Sequence, residues 1–224
     1  MQDSERKRYK NVLIMTAVPI ERDAVQRGLE RADADGIAVR VAGVGPAAAA
    51  ASTAAVLAKG SYDLVISAGI GGGYPGRAEI GSIVVSSAII AADLGAETPD
   101  GFSAVDELGF GSARIEVDPE LAGRLTDALR NADLAAVQGP ALTLSTVTGT
   151  AATAERLAAR IPGASSEGME GFGVAAAARQ FGIPALELRA VSNPVGPRDR
   201  SAWRIPDALQ SLERATTILA EVLR

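Results

Sequence analysis

Short runs of consecutive apolar residues alternate along this chain with longer stretches in which apolar positions recur every third or fourth residue. Residues 11–16 (NVLIMT) form one such continuous run, as strands buried on both faces do. Pro19 then opens a helix in which Ile20, Ala24 and Val25 share a face. Residues 37–42 read as a second strand, and Gly45-Pro46 starts an alanine-rich helix running to about Lys59. Residues 63–68 (DLVISA) form a third strand that runs straight into GIGGGYPGR. Residues 81–87 are a fourth, which 88–92 can extend. Residues 94–112, rich in glycine and aspartate, read as a loop.

Asp118-Pro119 is a helix start, an N-cap followed by proline at the first helical position. Leu121, Leu125 and Leu129 line one face of the helix that follows, and residues 141–147 form another strand. Residues 174–181 are alanine-rich and helix-prone; Gly182 and Pro184 end that helix, and 185–191 reads as a strand. Pro206 begins a last helix with Leu209, Leu212, Leu219 and Leu223 inward. This alternation predicts a single three-layer α/β domain with a central, largely parallel mixed sheet. The domain is expected over residues 11–224, behind a disordered polar tail over residues 1–10.

Composition narrows the chemistry more than the fold. At 224 residues the chain can bury one full-sized core, and with aromatics at 4% that core is built from Ala, Val, Leu and Ile. A net charge of −5 and the absence of a long Lys/Arg run argue against nucleic acid as a partner. No apolar run reaches the length of a membrane span. The start, ERKRYKNVLIMTAV, has the basic-then-apolar order of a secretory leader. Its apolar run is short, however, and PIERD stands where a small-residue cleavage site belongs, so a cytoplasmic protein is expected. There is no cysteine and no histidine. Disulfides, Cys/His zinc sites and Cys or His catalysis are excluded, and acid–base work falls to Asp, Glu, Tyr, Lys or water. No metal and no cofactor are expected.

Three polar residues stand at places where ligands bind in α/β sheets. Glu170 lies at the entrance of the 174–181 helix, where the dipole favours an ionised carboxylate, amid Gly168, Gly171 and Gly173. Asn193, before Pro194, lies in a turn at the carboxyl end of a strand. Glu21 lies in the first turn after the first strand. Each also has a plain structural reading: a helix-capping or dipole-complementing glutamate, or a turn asparagine. A second glycine motif, GVGPAA from Gly43, has dinucleotide-fingerprint spacing. The next strand begins with Asp63 and ends in Ser67-Ala68, so the acid that motif needs is missing and a nicotinamide enzyme is set aside.

The stretch from Ser166 to Asp199, SEGMEGFGVAAAARQFGIPALELRAVSNPVGPRD, resembles the C-terminal half of the purine nucleosidase and nucleoside phosphorylase superfamily. That resemblance implies the nucleoside phosphorylase-like fold and a small purine nucleoside as substrate. It implies that Met169 packs on ribose, that Glu170 bonds the ribose diol, and that Asn193 faces the base. Ile70, Gly71 and Gly72 of SAGIGGG become the floor of the site, and Phe172 joins the substrate-contacting set. Glu21 resembles the water-activating glutamate of nucleosidases by its position after the first strand. Phosphorylases place a phosphate-binding arginine in that segment, and Arg22 is adjacent, so a 6-oxopurine phosphorylase, or an adenine-directed nucleosidase of the methylthioadenosine/S-adenosylhomocysteine type, stays open as a second reading. A non-catalytic nucleoside-binding protein is a third reading, against which the two glutamates argue.

Cleaving a ribosyl–purine bond leaves positive charge on the sugar and negative charge on the departing base. The site therefore needs a carboxylate to activate water, groups on the ribose hydroxyls, and donors to the base. Asn193 stands where adenine-specific relatives carry aspartate, and its amide can donate to the 6-oxo group of hypoxanthine or guanine. An amide cannot deliver a proton, so Asp199 is the nearest candidate acid, with a surface pair to Arg198 or Arg200 as its plain reading. The phrase SNPVGPRDR carries a narrower match, to a branch whose substrate bears hypoxanthine and, on the 5′ side, an aromatic carboxylate. Arg198, Arg200 and Trp203 suit that group. The resemblance also implies a homodimer or larger homo-oligomer, with Phe102 or Phe110 closing a partner's pocket.

Overall fold

The computed structural model describes residues 9–99 and 101–224. Among the described residues, ten strands and six helices run in the order β1 (Val12–Thr16), α1 (Pro19–Arg31), β2 (Ile37–Val41), α2 (Pro46–Leu57), β3 (Leu64–Gly73), β4 (Ile83–Ala91), β5 (Gly95–Thr98), β6 (Gly101–Ala104), β7 (Arg114–Glu116), α3 (Pro119–Asn131), β8 (Ala136–Thr143), α4 (Ala151–Arg160), β9 (Ser166–Gly168), α5 (Gly171–Gln180), β10 (Ala185–Pro194) and α6 (Ile205–Leu223). The apolar runs become the central strands: β1 is buried throughout and β10 over its first eight residues.

The sheet is mixed and largely parallel. β1 pairs in parallel with β2 and β3, β3 with β10, and β8 with β4 and β9. The antiparallel pairs are β10 with β4, β3 with β9, and β4 with β7. Strand β3 thus touches β1, β9 and β10 at once, and the pairings β3–β10–β4–β8–β9–β3 close a ring from which β1 and β2 extend. Helices α1 and α6 pack together, as do α2 and α5. Both contacts need glycine: a Cβ on Gly28 of α1 would stand 2.3 Å from the Glu213 carbonyl oxygen, and one on Gly173 of α5 would stand 2.2 Å from that of Pro46.

Several elements differ from the reading of the pattern. β3 does not stop at Ala68 but continues through the glycines, because their backbones pair with β10 on one side and β9 on the other. The strand placed at 141–147 lies at Ala136–Thr143. Gly139 and Pro140 sit inside it, opposite the register shift between Ser86 and Ile89, where a proline without an N–H is tolerated. The loop 94–112 contains the hairpin β5–β6. Helix α4, capped by the Thr150 hydroxyl on the Thr153 N–H (3.2 Å), has no counterpart in the pattern reading. Of the expected tail, residues 1–8 lie outside the described residues; Tyr9 is buried, and its hydroxyl donates to Asp118 Oδ2 (3.3 Å).

Candidate active site

The carboxyl ends of β1, β3 and β10, which run parallel, open on one side of the sheet, and a cavity of about 560 Å³ lies there. Its wall includes Glu21, Ile70, Gly71, Gly72, Met169, Glu170, Asn193, Arg198, Arg200 and Trp203 from the sequence-derived set. Phe172 and Asp199 are not in that wall. Phe172 packs against the main hydrophobic core. Asp199 is fully exposed and caps the 3₁₀ turn Arg200–Ala202, its Oδ1 accepting from the Ser201 N–H (3.0 Å) and hydroxyl (2.6 Å). Those bonds hold its carboxyl below the ordinary aspartate range, so it carries no proton at neutral pH.

Glu21 is 3% exposed yet faces the cavity. Three backbone N–H groups fix it: Ala17 (2.9 Å) and Val18 (3.2 Å) donate to Oε2, and Ile70 (2.9 Å) donates to Oε1. The turn after β1 and the start of the glycine run in β3 therefore aim one carboxylate. Burial pushes its pKa above the ordinary glutamate value, against the opposing pull of Arg189 and the Ile70 N–H.

Glu170 stands at the N-cap of α5, three residues earlier than the alanine run alone suggests. It accepts from the Gly45 N–H (3.2 Å) on Oε1 and from the Met169 N–H (3.3 Å) on Oε2. Arg189 Nη2 lies 3.5 Å from Oε2. This arginine is fully buried in β10. Its Nε donates to Glu187 Oε1 (2.7 Å), its Nη2 to Ser67 Oγ (3.0 Å) and its Nη1 to the Ile70 carbonyl (3.4 Å). Burial disfavours its charge, but Glu187, Glu170 and Glu21 outweigh that, so its pKa is raised. Glycines make room for it: a Cβ on Gly69 would stand 2.7 Å from Nη1, and one on Gly168 3.1 Å from Cζ. Three carboxyl groups thus gather around one guanidinium beside the cavity, an arrangement that suits a cationic sugar.

Asn193 follows a bulge in β10 and lies beside Gly72 of β3. Its Oδ1 accepts from the Ser192 hydroxyl (2.8 Å), which orients the amide, and Nδ2 donates to the Pro194 carbonyl (3.0 Å). One amide hydrogen remains for a ligand. At the other end, Arg198 and Arg200 both lie near the Trp203 ring, with their Cζ atoms 5.6 and 5.8 Å from its centroid.

Sequence reasoning missed Arg189, Glu187, Glu167, Thr148 and Ser192. The first two had a signal: in LELRAV, Glu187 and Arg189 interrupt a buried strand at alternate positions, which puts both on one face and demands that they satisfy each other.

Comparison with known proteins agrees with this geometry. The sequence profile of the phosphorylase superfamily matches residues 23–224, and the chain belongs to that family. Within it, the chain is 52% identical to futalosine hydrolase of Streptomyces coelicolor, with 95% of this chain and 96% of that protein covered. Among solved structures it is similar to the 5′-methylthioadenosine/S-adenosylhomocysteine nucleosidase of Colwellia psychrerythraea in complex with adenine (TM-score 0.79, 21% identity, 96% of each chain). It is also similar to native futalosine hydrolase of Helicobacter pylori (TM-score 0.75, 18% identity, 96% of this chain and 97% of that one). Likeness at those identities establishes the fold: α/β, one domain, nucleoside phosphorylase-like.

Proposed function

We propose that this protein hydrolyses the N-glycosidic bond of futalosine, releasing hypoxanthine and dehypoxanthine futalosine, a step of menaquinone biosynthesis. The observation that carries the reading is the content of one cavity wall: a buried, backbone-fixed Glu21, a second carboxylate at Glu170, the amide of Asn193, and a tryptophan with two arginines near its ring. The 52% identity to a futalosine hydrolase supports the same substrate.

In this reading Met169 packs on the ribose and Glu170 accepts from its hydroxyls. Glu21 accepts a proton from water as the water attacks the anomeric carbon. As the bond to the base breaks, positive charge on the sugar is met by Glu170 and Glu21. Negative charge on the base is met by the Asn193 amide. The base takes its proton from water, since Asp199 points to Ser201. Arg198, Arg200 and Trp203 take the aromatic carboxylate on the 5′ side. Phosphorolysis fits less well, because Arg22 turns away to Asp23 (2.6 Å) and is not part of the cavity wall. A cytoplasmic homodimer or larger homo-oligomer completes the reading. Incubation with futalosine, inosine and methylthioadenosine, with and without phosphate, tests it. Free hypoxanthine and a free ribosyl product are expected from futalosine in either case; a phosphate-dependent sugar 1-phosphate would show a phosphorylase instead.

A further inference from the structure

We infer that Glu167 is the residue that tells a 6-oxopurine from adenine, by accepting a hydrogen bond from N1–H of the base. The inference rests on reading the cavity as a purine nucleoside site. Glu167 is in the cavity wall and only 5% exposed, and neither water activation nor ribose binding uses it. Its position is set by strand register. β9 places Glu167 opposite Gly72 of β3, and β10 places Asn193 opposite the same Gly72 from the other side. An amide and a carboxylate thus flank one glycine on the floor of the site. A side chain there would crowd Val195 and the amide: a Cβ on Gly72 would stand 2.8 Å from Val195 Cγ2 and 3.5 Å from Asn193 Nδ2.

Thr148 holds the carboxylate: its N–H donates to Oε1 (2.7 Å) and its hydroxyl to Oε2 (2.6 Å), and the Tyr74 hydroxyl also interacts with it. Each oxygen of a carboxylate can accept twice, so an acceptor site remains beyond these donors. Hypoxanthine offers an N–H at N1 next to an acceptor at O6. A carboxylate beside an amide hydrogen is the matching pair: N1–H to Glu167, O6 to Asn193 Nδ2. Adenine has an unprotonated N1, so two acceptors would face each other. The preference for the 6-oxo base then needs no proton transfer.

Calorimetric binding of free hypoxanthine, 1-methylhypoxanthine and adenine tests this independently of turnover. The wild-type protein is expected to bind hypoxanthine at least about tenfold more tightly than either of the others. In Glu167→Gln the new amide can donate to adenine N1, so the hypoxanthine-to-adenine ratio should fall by about tenfold or more, with adenine binding gained outright. A merely structural glutamate gives no such gain. Thr148→Val, which leaves the carboxylate one donor short, should shrink the same ratio partially. If the ratio is unchanged in Glu167→Gln, the assignment is overturned while the nucleoside site stands. If the wild-type protein binds no purine base, the reading of the cavity falls and takes this assignment with it.

Discussion

Glu21 shows how a single side chain can be buried, charged and poised at once. Burial raises its pKa, and three backbone N–H groups keep the ionised form accessible and aimed. A general base must be deprotonated to work. A raised pKa therefore means that kcat/KM climbs with pH through a limb lying above the ordinary glutamate range, and is lost as pH falls through it. Glu21→Gln is expected to cost about a hundredfold or more in kcat with little change in substrate affinity, and to flatten that limb. Steady-state kinetics across pH decide it: near-normal turnover in the variant would remove Glu21 from the mechanism. At this scale the sequence was legible where a residue type is needed at a particular place, as with Glu170 before its helix and Asn193 at the carboxyl end of a strand, which runs on to Pro194 instead of stopping at 191. It was not legible for Asp199, because nearness along the chain to Asn193 says nothing about direction. A local bond to Ser201 turns that carboxylate outward.

Among the elements, β10 carries the most. Its apolar pattern announced a buried strand, but the pattern could not say where Glu187 and Arg189 find partners. Those partners, Glu170, Ser67 and the Ile70 carbonyl, come from α5 and β3. Replacing Arg189 with methionine strands Glu187 in the core and should cost about 3–5 kcal/mol, read as a lower denaturant midpoint. Replacing Glu187 and Arg189 together with methionine and leucine should restore much of that stability. Turnover should stay low, since Glu170 has still lost its orienting cation. Recovery of full activity in the double variant would show that Arg189 has no positioning role. The segment after β10 makes a different claim. Arg198→Ala and Arg200→Ala, singly or paired, are expected to impair futalosine far more than inosine, in KM more than in kcat. Equal damage to both substrates would mean that the carboxylate is read elsewhere.

For the whole molecule, the alternation of apolar runs and helical stretches was enough to define the layers, because a sheet buried on both faces must be apolar on both. It could not show closure. That depends on β9, three residues long, and on glycines in β3 that carry no hydrophobic signal. Phe110 is 83% exposed, as a side chain offered to another subunit would be. Light scattering is expected to give a mass of at least twice 22.8 kDa. A fully active monomer would rule out a shared pocket.

Closure of the strands around β3 also bears on time. Gly72 and Gly73 sit where the ring is joined on both sides, so they cannot be exposed by fraying one edge. Their hydrogen exchange should track global unfolding, while residues 94–112 and 198–204, outside the ring, exchange through small local openings. The floor on which the base would rest is then held by the same bonds that hold the fold. Admission of substrate and escape of product become the business of surface segments alone.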